Sequence, residues 1–147
     1  MAHTYCTNLV HCAFGTKERA ELIAEGVQEH LYAYLLGIAK NLGFQILALG
    51  GTANHVHILL GLSPKHCLSA VLRDLKANSS RWMREGNPKF AWQEGFGAFS
   101  VSPSQTPTVK QYIRTQAEHH KKRNFEEEFL LRLKKSGVDY GPRYVFG

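Results

Sequence analysis

Two short stretches of this chain carry residue types whose spacing could do chemistry. The first is His55-Val56-His57. Side chains alternate between the two faces of a β-strand. On a strand, His55 and His57 would therefore share one face, with Val56, Ile58 and Leu60 on the other. Two residues of strand separate the imidazoles by roughly 6.6 Å, close enough for both to converge on one metal ion. The plainer alternative is two polar residues on a half-exposed edge face. The second stretch holds Tyr112 and Gln116, four apart and so neighbours on one face of a helix. His119 and His120 continue near that face one turn on. A lone tyrosine is most simply a packed aromatic with its hydroxyl satisfied. In combination, a metal held by two histidines and an amide oxygen keeps open positions, and a tyrosine beside it could attack a phosphate.

That chemistry has a physical logic. A phosphodiester is anionic and repels nucleophiles, so a site acting on it must neutralise charge. A divalent cation polarises the non-bridging oxygen. A tyrosine hydroxyl has an ordinary pKa of about 10 and needs help to lose its proton near neutrality. Attack by tyrosine would store the cleaved bond as a phosphotyrosine ester, so rejoining would need no nucleotide cofactor.

The elements that must position these groups can be read from periodicity. Thr4 to Phe14 is rich in β-branched and aromatic residues and predicts a strand ending near Gly15. Over Glu18–Asn41, apolar residues at 22, 23, 27, 31, 34, 35 and 38 predict an amphipathic helix, with Asn41 and Gly43 as its stop. Phe44–Leu49 and His55–Leu62 predict a hairpin, with Gly50-Gly51 as its turn. Ser63-Pro64 is expected to open a second helix that runs to about Arg84 and ends at Gly86-Asn87-Pro88. Its apolar stripe is Leu68, Val71, Leu72, Leu75, Trp82 and Met83, and its basic stripe Arg73, Lys76 and Arg84. A fourth strand is expected over Phe96–Val101, a third helix from about Thr108 to Arg123, and a short one over Phe125–Lys135. The order β-α-β-β-α-β-α-α predicts an α+β, ferredoxin-like (RRM-like) antiparallel sheet with helices on one face. The third helix would then lie against the open side. One domain over residues 1–147 is expected, its aromatic tail (about 136–147) packing on the body or on a partner.

Composition narrows the function. The chain has 147 residues, 18 Lys+Arg against 12 Asp+Glu and a net charge of +6. With 44% hydrophobic residues it is not a disordered chain. Residues 65–89 hold 6 basic and 2 acidic side chains, and residues 103–147 hold 9 and 5, so these two segments carry the whole excess. Such an excess suits a polyanion, most simply nucleic acid, as well as a solvated lysine face. No stretch approaches the ~20 apolar residues of a membrane span. The N-terminal residues lack a secretory pattern. The 3 cysteines contain no CxxC pair, which argues for reduced thiols and against a Cys-rich zinc site. A cytoplasmic protein is the expectation.

With these residues in view, the sequence resembles the single-tyrosine HUH transposases of small bacterial insertion sequences (the insertion-sequence 200/605 type, TnpA-like). His55-Val56-His57 matches the His-hydrophobic-His motif. Tyr112-Ile113-Arg114-Thr115-Gln116 matches the catalytic helix, with its tyrosine and a ligand four residues later. Gly50-Gly-Thr-Ala-Asn-His-Val-His57 looks like the metal-site hairpin and Leu75-Lys-Ala-Asn-Ser-Ser-Arg-Trp82 like the second helix. Phe90-Ala-Trp-Gln-Glu-Gly-Phe-Gly-Ala-Phe-Ser-Val101 looks like the segment before the catalytic helix. Asn54 stands where an acidic residue is often seen; it precedes the ligands and removes none.

The resemblance implies an enzyme of DNA transposition and recombination that cuts and rejoins single-stranded DNA at insertion-sequence ends. It implies recognition of subterminal hairpins, a 5′-phosphotyrosine intermediate, a homodimer, and Mg²⁺ or Mn²⁺, although imidazole is a more usual donor for other metals. Tyr112 would be the nucleophile, and His55, His57 and Gln116 the metal ligands. His120 would be a substitute ligand, a phosphate contact or a structural residue. Arg73, Lys76, Arg81, Arg84, Lys121 and Lys122 would be DNA contacts, each able instead to be simply solvated; the last two, with Arg123, also suit a helix C-terminus. Trp82 and Trp92 could stack on unpaired bases, with core packing the simpler reading for Trp82. The host would be a bacterial or archaeal cell, with no membrane partner and no nucleotide cofactor.

The alternative is a non-transposing or domesticated relative that binds hairpin DNA. An RNA-recognition module would want exposed aromatics on its central strands, a signature missing here. A metal hydrolase would want a carboxylate base near His55 and His57, and Asp74 and Glu94 do not have that spacing.

Overall fold

A computed structural model of the chain describes residues 4–116, 125–135 and 137. The elements follow the expected order: β1 (Leu9–Gly15), α1 (Glu25–Leu42), β2 (Gln45–Thr52), β3 (His55–Gly61), α2 (Leu68–Gly86), β4 (Gly97–Val101), α3 (Thr106–Arg114) and α4 (Phe125–Lys135). The strands form one antiparallel sheet in the order β2-β3-β1-β4. This is the α+β arrangement that the sequence predicts. Among the described residues, no helix is long and apolar enough to cross a membrane.

Strand alternation divides the sheet into two unlike faces. Val10, Cys12 and Phe14 of β1 and Val56, Ile58 and Leu60 of β3 point to one side. There they pack with Leu31, Leu35 and Ile38 of α1 and Val71, Leu72, Leu75 and Met83 of α2. The helical residues recur every three or four positions, as one buried stripe requires. On the opposite face a small cluster of Ala48, Leu59 and Ile113 seats α3, with Leu47, Val109 and Tyr112 around it. A register shift between Ile46 and Ala48 lets β2 turn both Leu47 and Ala48 to this side. Burying a side chain the size of Ile113 is worth about 1.5–3 kcal/mol, a modest anchor for α3.

Several element boundaries differ from the expectation, each for a local reason. β1 begins at Leu9; residues 4–8 are exposed and lie outside the strand. α1 begins at Glu25, because Glu18 and Arg19 take left-handed φ values of 57° and 58° in a short 3-10 turn, Lys17–Arg19. Ile23 reaches the core from this loop, where its N–H donates to Ala53 O at 2.9 Å. α2 begins at Leu68. Ser63 and His66 close a turn instead, His66 N–H donating to Ser63 O at 3.0 Å, so Pro64 lies outside the helix. The hairpin turn is Ala53-Asn54, and Gly50-Gly51 lie within β2. α3 stops at Arg114, where Thr115 Oγ1 donates back to Gln111 O at 2.8 Å and the backbone leaves the helical region. The expected continuation of this helix to Arg123 and the tail over 138–147 lie outside the described residues.

Candidate active site

β3 delivers His55 and His57 to the face that carries α3, as alternation requires. Both are buried, and their ring centroids are 5.2 Å apart at 81°. α3 brings Tyr112 and Gln116 onto the same spot. Tyr112 sets its half-buried ring edge-on to His57, with centroids 5.8 Å apart. Gln116, one residue past the break at Thr115, turns its amide inward and is 1% exposed. Its Nε2 donates to Tyr112 O at 3.0 Å, which aims Oε1 at His55 Nε2, 3.3 Å away.

The hydrogen bonds around His55 decide which of its nitrogens faces Gln116 with a lone pair. Asn54 Nδ2 donates to Arg19 O at 3.4 Å, and this fixes Asn54 Oδ1 as the atom 2.9 Å from His55 Nδ1. An amide oxygen only accepts, so Nδ1 carries the proton. Thr52 Oγ1 lies 2.9 Å from the same nitrogen and itself donates to Asn54 Oδ1 at 3.2 Å. In a neutral imidazole the lone pair is then on Nε2, facing Gln116 Oε1. Two electron-pair donors set against each other in a buried pocket call for a cation between them. This donor set fits a metal ion, and the Nδ1 partners are the outer support such ligands need. Among the described residues, no three His, Cys, Asp or Glu side chains could hold a metal together. Among those residues, the Gln116 amide oxygen is a third donor of another type.

The loop after β1 supports this arrangement. Thr16 N–H donates to Asn54 O at 2.9 Å, pinning the hairpin turn beside the left-handed residues Glu18 and Arg19. Strained backbone of this kind persists where surrounding contacts hold it.

One buried residue at this site has no counterpart in the motif reading: His11 of β1, whose Nε2 is 2.8 Å from His57 Nδ1. The signal was present in part, since the apolar alternation of Val10, Cys12 and Phe14 sends His11 to the opposite face. Nothing in the local sequence says that this face meets His57.

Three of the four basic candidates on α2 share one groove, and Arg81 lies outside it. Arg73, Lys76, Ser80, Arg84, Trp92 and Phe96 help to line a groove of about 490 Å³ between α2 and the segment before β4. Arg73 is exposed beside Asp74 at 3.5 Å. Arg84 Nη1 donates to Ser80 Oγ at 2.6 Å. Arg81 is exposed outside the groove lining, donating to Asn78 Oδ1 at 2.7 Å. Lys76 is committed elsewhere. Its Nζ donates to Gln93 O at 2.6 Å, Glu94 O at 3.3 Å and Gly95 O at 2.9 Å, using all three of its donors. Burial lowers its pKa, opposed by the nearby Glu94 charge. Trp82 stacks on Tyr34 at 5.1 Å. Trp92 is buried against Phe14 and Phe90 and donates to Ser79 Oγ at 3.0 Å, so its indole is a core group rather than a base-stacking platform. His119, His120, Lys121, Lys122 and Arg123 lie outside the described residues.

The family described as "Transposase IS200 like" matches residues 4–116. The ISDra2 transposase TnpA of Deinococcus radiodurans is 24% identical over 114 residues, covering 72% of this chain and 81% of that protein. The transposase for insertion sequence element IS200 of Salmonella typhimurium is 27% identical over 129 residues, covering 82% and 84%. Among solved structures, a candidate transposase from Deinococcus radiodurans R1 superposes with a TM-score of 0.63 at 26% identity, covering 77% of this chain and 94% of that one. A REP-associated tyrosine transposase, solved bound to a REP hairpin, shares the fold with a TM-score of 0.59 at 16% identity, covering 77% of this chain and 68% of that one.

Proposed function

Since the chain belongs to the IS200-like transposase family, we propose that it cuts and rejoins single-stranded DNA at insertion-sequence ends, with Tyr112 as nucleophile. The observation that carries this reading is the meeting of β3 and the end of α3. Gln116 Oε1 stands 3.3 Å from His55 Nε2, while Tyr112, one turn earlier, packs its ring against His57. His55, His57 and Gln116 would hold Mg²⁺ or Mn²⁺, which when bound would neutralise and polarise the scissile phosphate.

Tyr112 Oη attacks the phosphorus of the scissile phosphodiester. The new O–P bond forms as the bond to the 3′ oxygen breaks, and that oxygen leaves with a proton as a free 3′ hydroxyl. The 5′ phosphate stays on Tyr112 as an ester. A second 3′ hydroxyl attacks this ester, seals the new junction and returns the tyrosine. One phosphodiester is exchanged for another, so no nucleotide cofactor enters. His55 and His57 are fixed on a paired strand and Tyr112 and Gln116 on a helix end packed against it, which holds nucleophile and ligands in one arrangement.

The substrate would be DNA carrying subterminal hairpins, bound by a homodimer. A protein of the same fold is bound to a REP hairpin, and hairpin recognition is carried to this chain as part of the proposal. Arg73 and Arg84, on the groove beside α2, are suited to phosphate contact.

A covalent-adduct assay tests the reading. The protein is mixed with labelled single-stranded DNA from both flanks of its own gene and Mn²⁺, then run on a denaturing gel. An SDS-resistant band, lost in Tyr112→Phe and with chelator, is the expected result. No band with hairpin binding intact would favour the non-transposing DNA-binding relative. No band and no binding would overturn the substrate.

A further inference from the structure

The two motif histidines are held from behind by different partners. His55 Nδ1 rests on Asn54 and Thr52, neighbours in its own hairpin. His57 meets a residue from another strand. Its Nδ1 lies 2.8 Å from Nε2 of His11, 46 positions away on β1. The strand register explains the meeting. Ala13 sits directly opposite His57, and His11 lies two residues back along β1 on the same face, the diagonal position that a long side chain can reach. A methyl group at Ala13 leaves the imidazoles room to lean together. His11 is 2% exposed. Its ring also stands edge-on to Tyr112, with centroids 5.8 Å apart at 71°, and to Phe99 at 6.3 Å and 63°.

We propose that His11 is a positioning residue for the strand-transfer site: it accepts the Nδ1 proton of His57, holds His57 Nε2 as the metal-facing nitrogen, and walls one side of the Tyr112 ring. The proposal rests on the reading of His57 as a metal ligand. A neutral imidazole has one N–H and one lone pair. If His57 Nδ1 donates to His11, the lone pair is on Nε2 and can coordinate. If the bond ran the other way, Nε2 would carry the proton and could not. The direction of this one hydrogen bond therefore decides whether His57 is competent, and His11 must carry its own proton on Nδ1. Outer partners of this kind are typically worth 10–100-fold in metal affinity. His11 touches the ligand and the nucleophile's ring, so its substitution should act on metal binding first.

The test uses the full chain with Mn²⁺ alone, binding being read from the free-ion electron paramagnetic resonance signal without DNA. His11→Leu removes the acceptor, whereas His11→Gln places an amide oxygen near the position of Nε2. The expected result is an affinity about 10–100-fold weaker in His11→Leu and within about threefold of the original in His11→Gln. Saturating Mn²⁺ should recover in His11→Leu the part of the adduct rate that depends on metal occupancy, leaving a deficit from the lost wall beside the Tyr112 ring. Unchanged affinity in His11→Leu, or equal loss in both variants, would overturn the proposal. If His57→Ala binds Mn²⁺ as tightly as the unsubstituted protein, the ligand reading itself fails and takes the proposal with it. Should His11→Leu not fold, nitrogen-15 NMR of His57 in the unsubstituted protein loaded with diamagnetic Mg²⁺ decides the matter. A proton on Nδ1 supports the proposal, and a proton on Nε2 overturns it.

Discussion

The backbone carbonyl of Ile113 occupies the space that a Cβ on Gly50 would need. An ideal Cβ at that position would meet the oxygen of Ile113 at less than 3.0 Å, a separation that real side chains do not adopt. Gly50 lies in β2 and Ile113 directly follows Tyr112 on α3. The absence of a side chain on one strand residue thus sets how closely the helix bearing the tyrosine approaches the strand beside the histidines.

Gly50→Ala should therefore push α3 off the sheet. The expected outcome is a loss of adduct formation by about two orders of magnitude, together with an overpacking cost of about 1–3 kcal/mol. Calorimetry should show a melting temperature lower by several degrees, with hairpin binding retained. Adduct formation at the original rate would mean that α3 can reseat.

Asn54 is expected to act through its acceptor oxygen. Asn54→Asp keeps an acceptor at His55 Nδ1 and should leave Mn²⁺ affinity equal or better. Asn54→Leu removes it and should cost about 10–100-fold. Titration of Mn²⁺ against each variant separates the two outcomes.

The basic residues of α2 should fall into two groups. Arg73→Ala and Arg84→Ala remove exposed or groove-lining charge. Each should weaken hairpin binding and reduce the slope of log affinity against log salt by about one. Lys76→Met leaves the carbonyls of Gln93, Glu94 and Gly95 without their donor. It should lower the melting temperature while leaving that salt slope unchanged.

The cysteines should differ in reactivity. Burial pushes the Cys12 thiol up to about 12, so at pH 8 it is almost wholly protonated. Cys67, exposed at the start of α2, is lowered by the Ser69 hydroxyl and by the backbone N–H groups of Ala70 and Ser69. A larger thiolate fraction near neutrality follows from that direction. Native alkylation at pH 7 to 8, read by mass spectrometry, should label Cys67 readily and spare Cys12 until the protein is unfolded.

The amino-acid sequence alone determined the order of the elements, the apolar faces of α1 and α2 and the pairing of His55 with His57 on one side of a strand. These are periodic properties, carried by residues a few positions apart, and they survive any change in the surroundings. The motif order around Tyr112 and Gln116 was legible for the same reason. What lay between distant segments was not. Gly50-Gly51 resembles a turn in isolation, yet both residues belong to a strand whose missing side chains admit α3. Leu22 and Ile23 continue a helical stripe in sequence, while the structure brings Ile23 to the core from a loop pinned on the hairpin turn. Lys76 sits at a basic position of α2, and only the fold shows three carbonyls closing on its ammonium group. His11 is an ordinary alternating residue until β1 pairs with β3 and sets it against His57. Each of these depended on strand register or on the seating of one element on another. Such long-range contacts are decided by the collective burial of two sheet faces, which no single segment of the chain encodes.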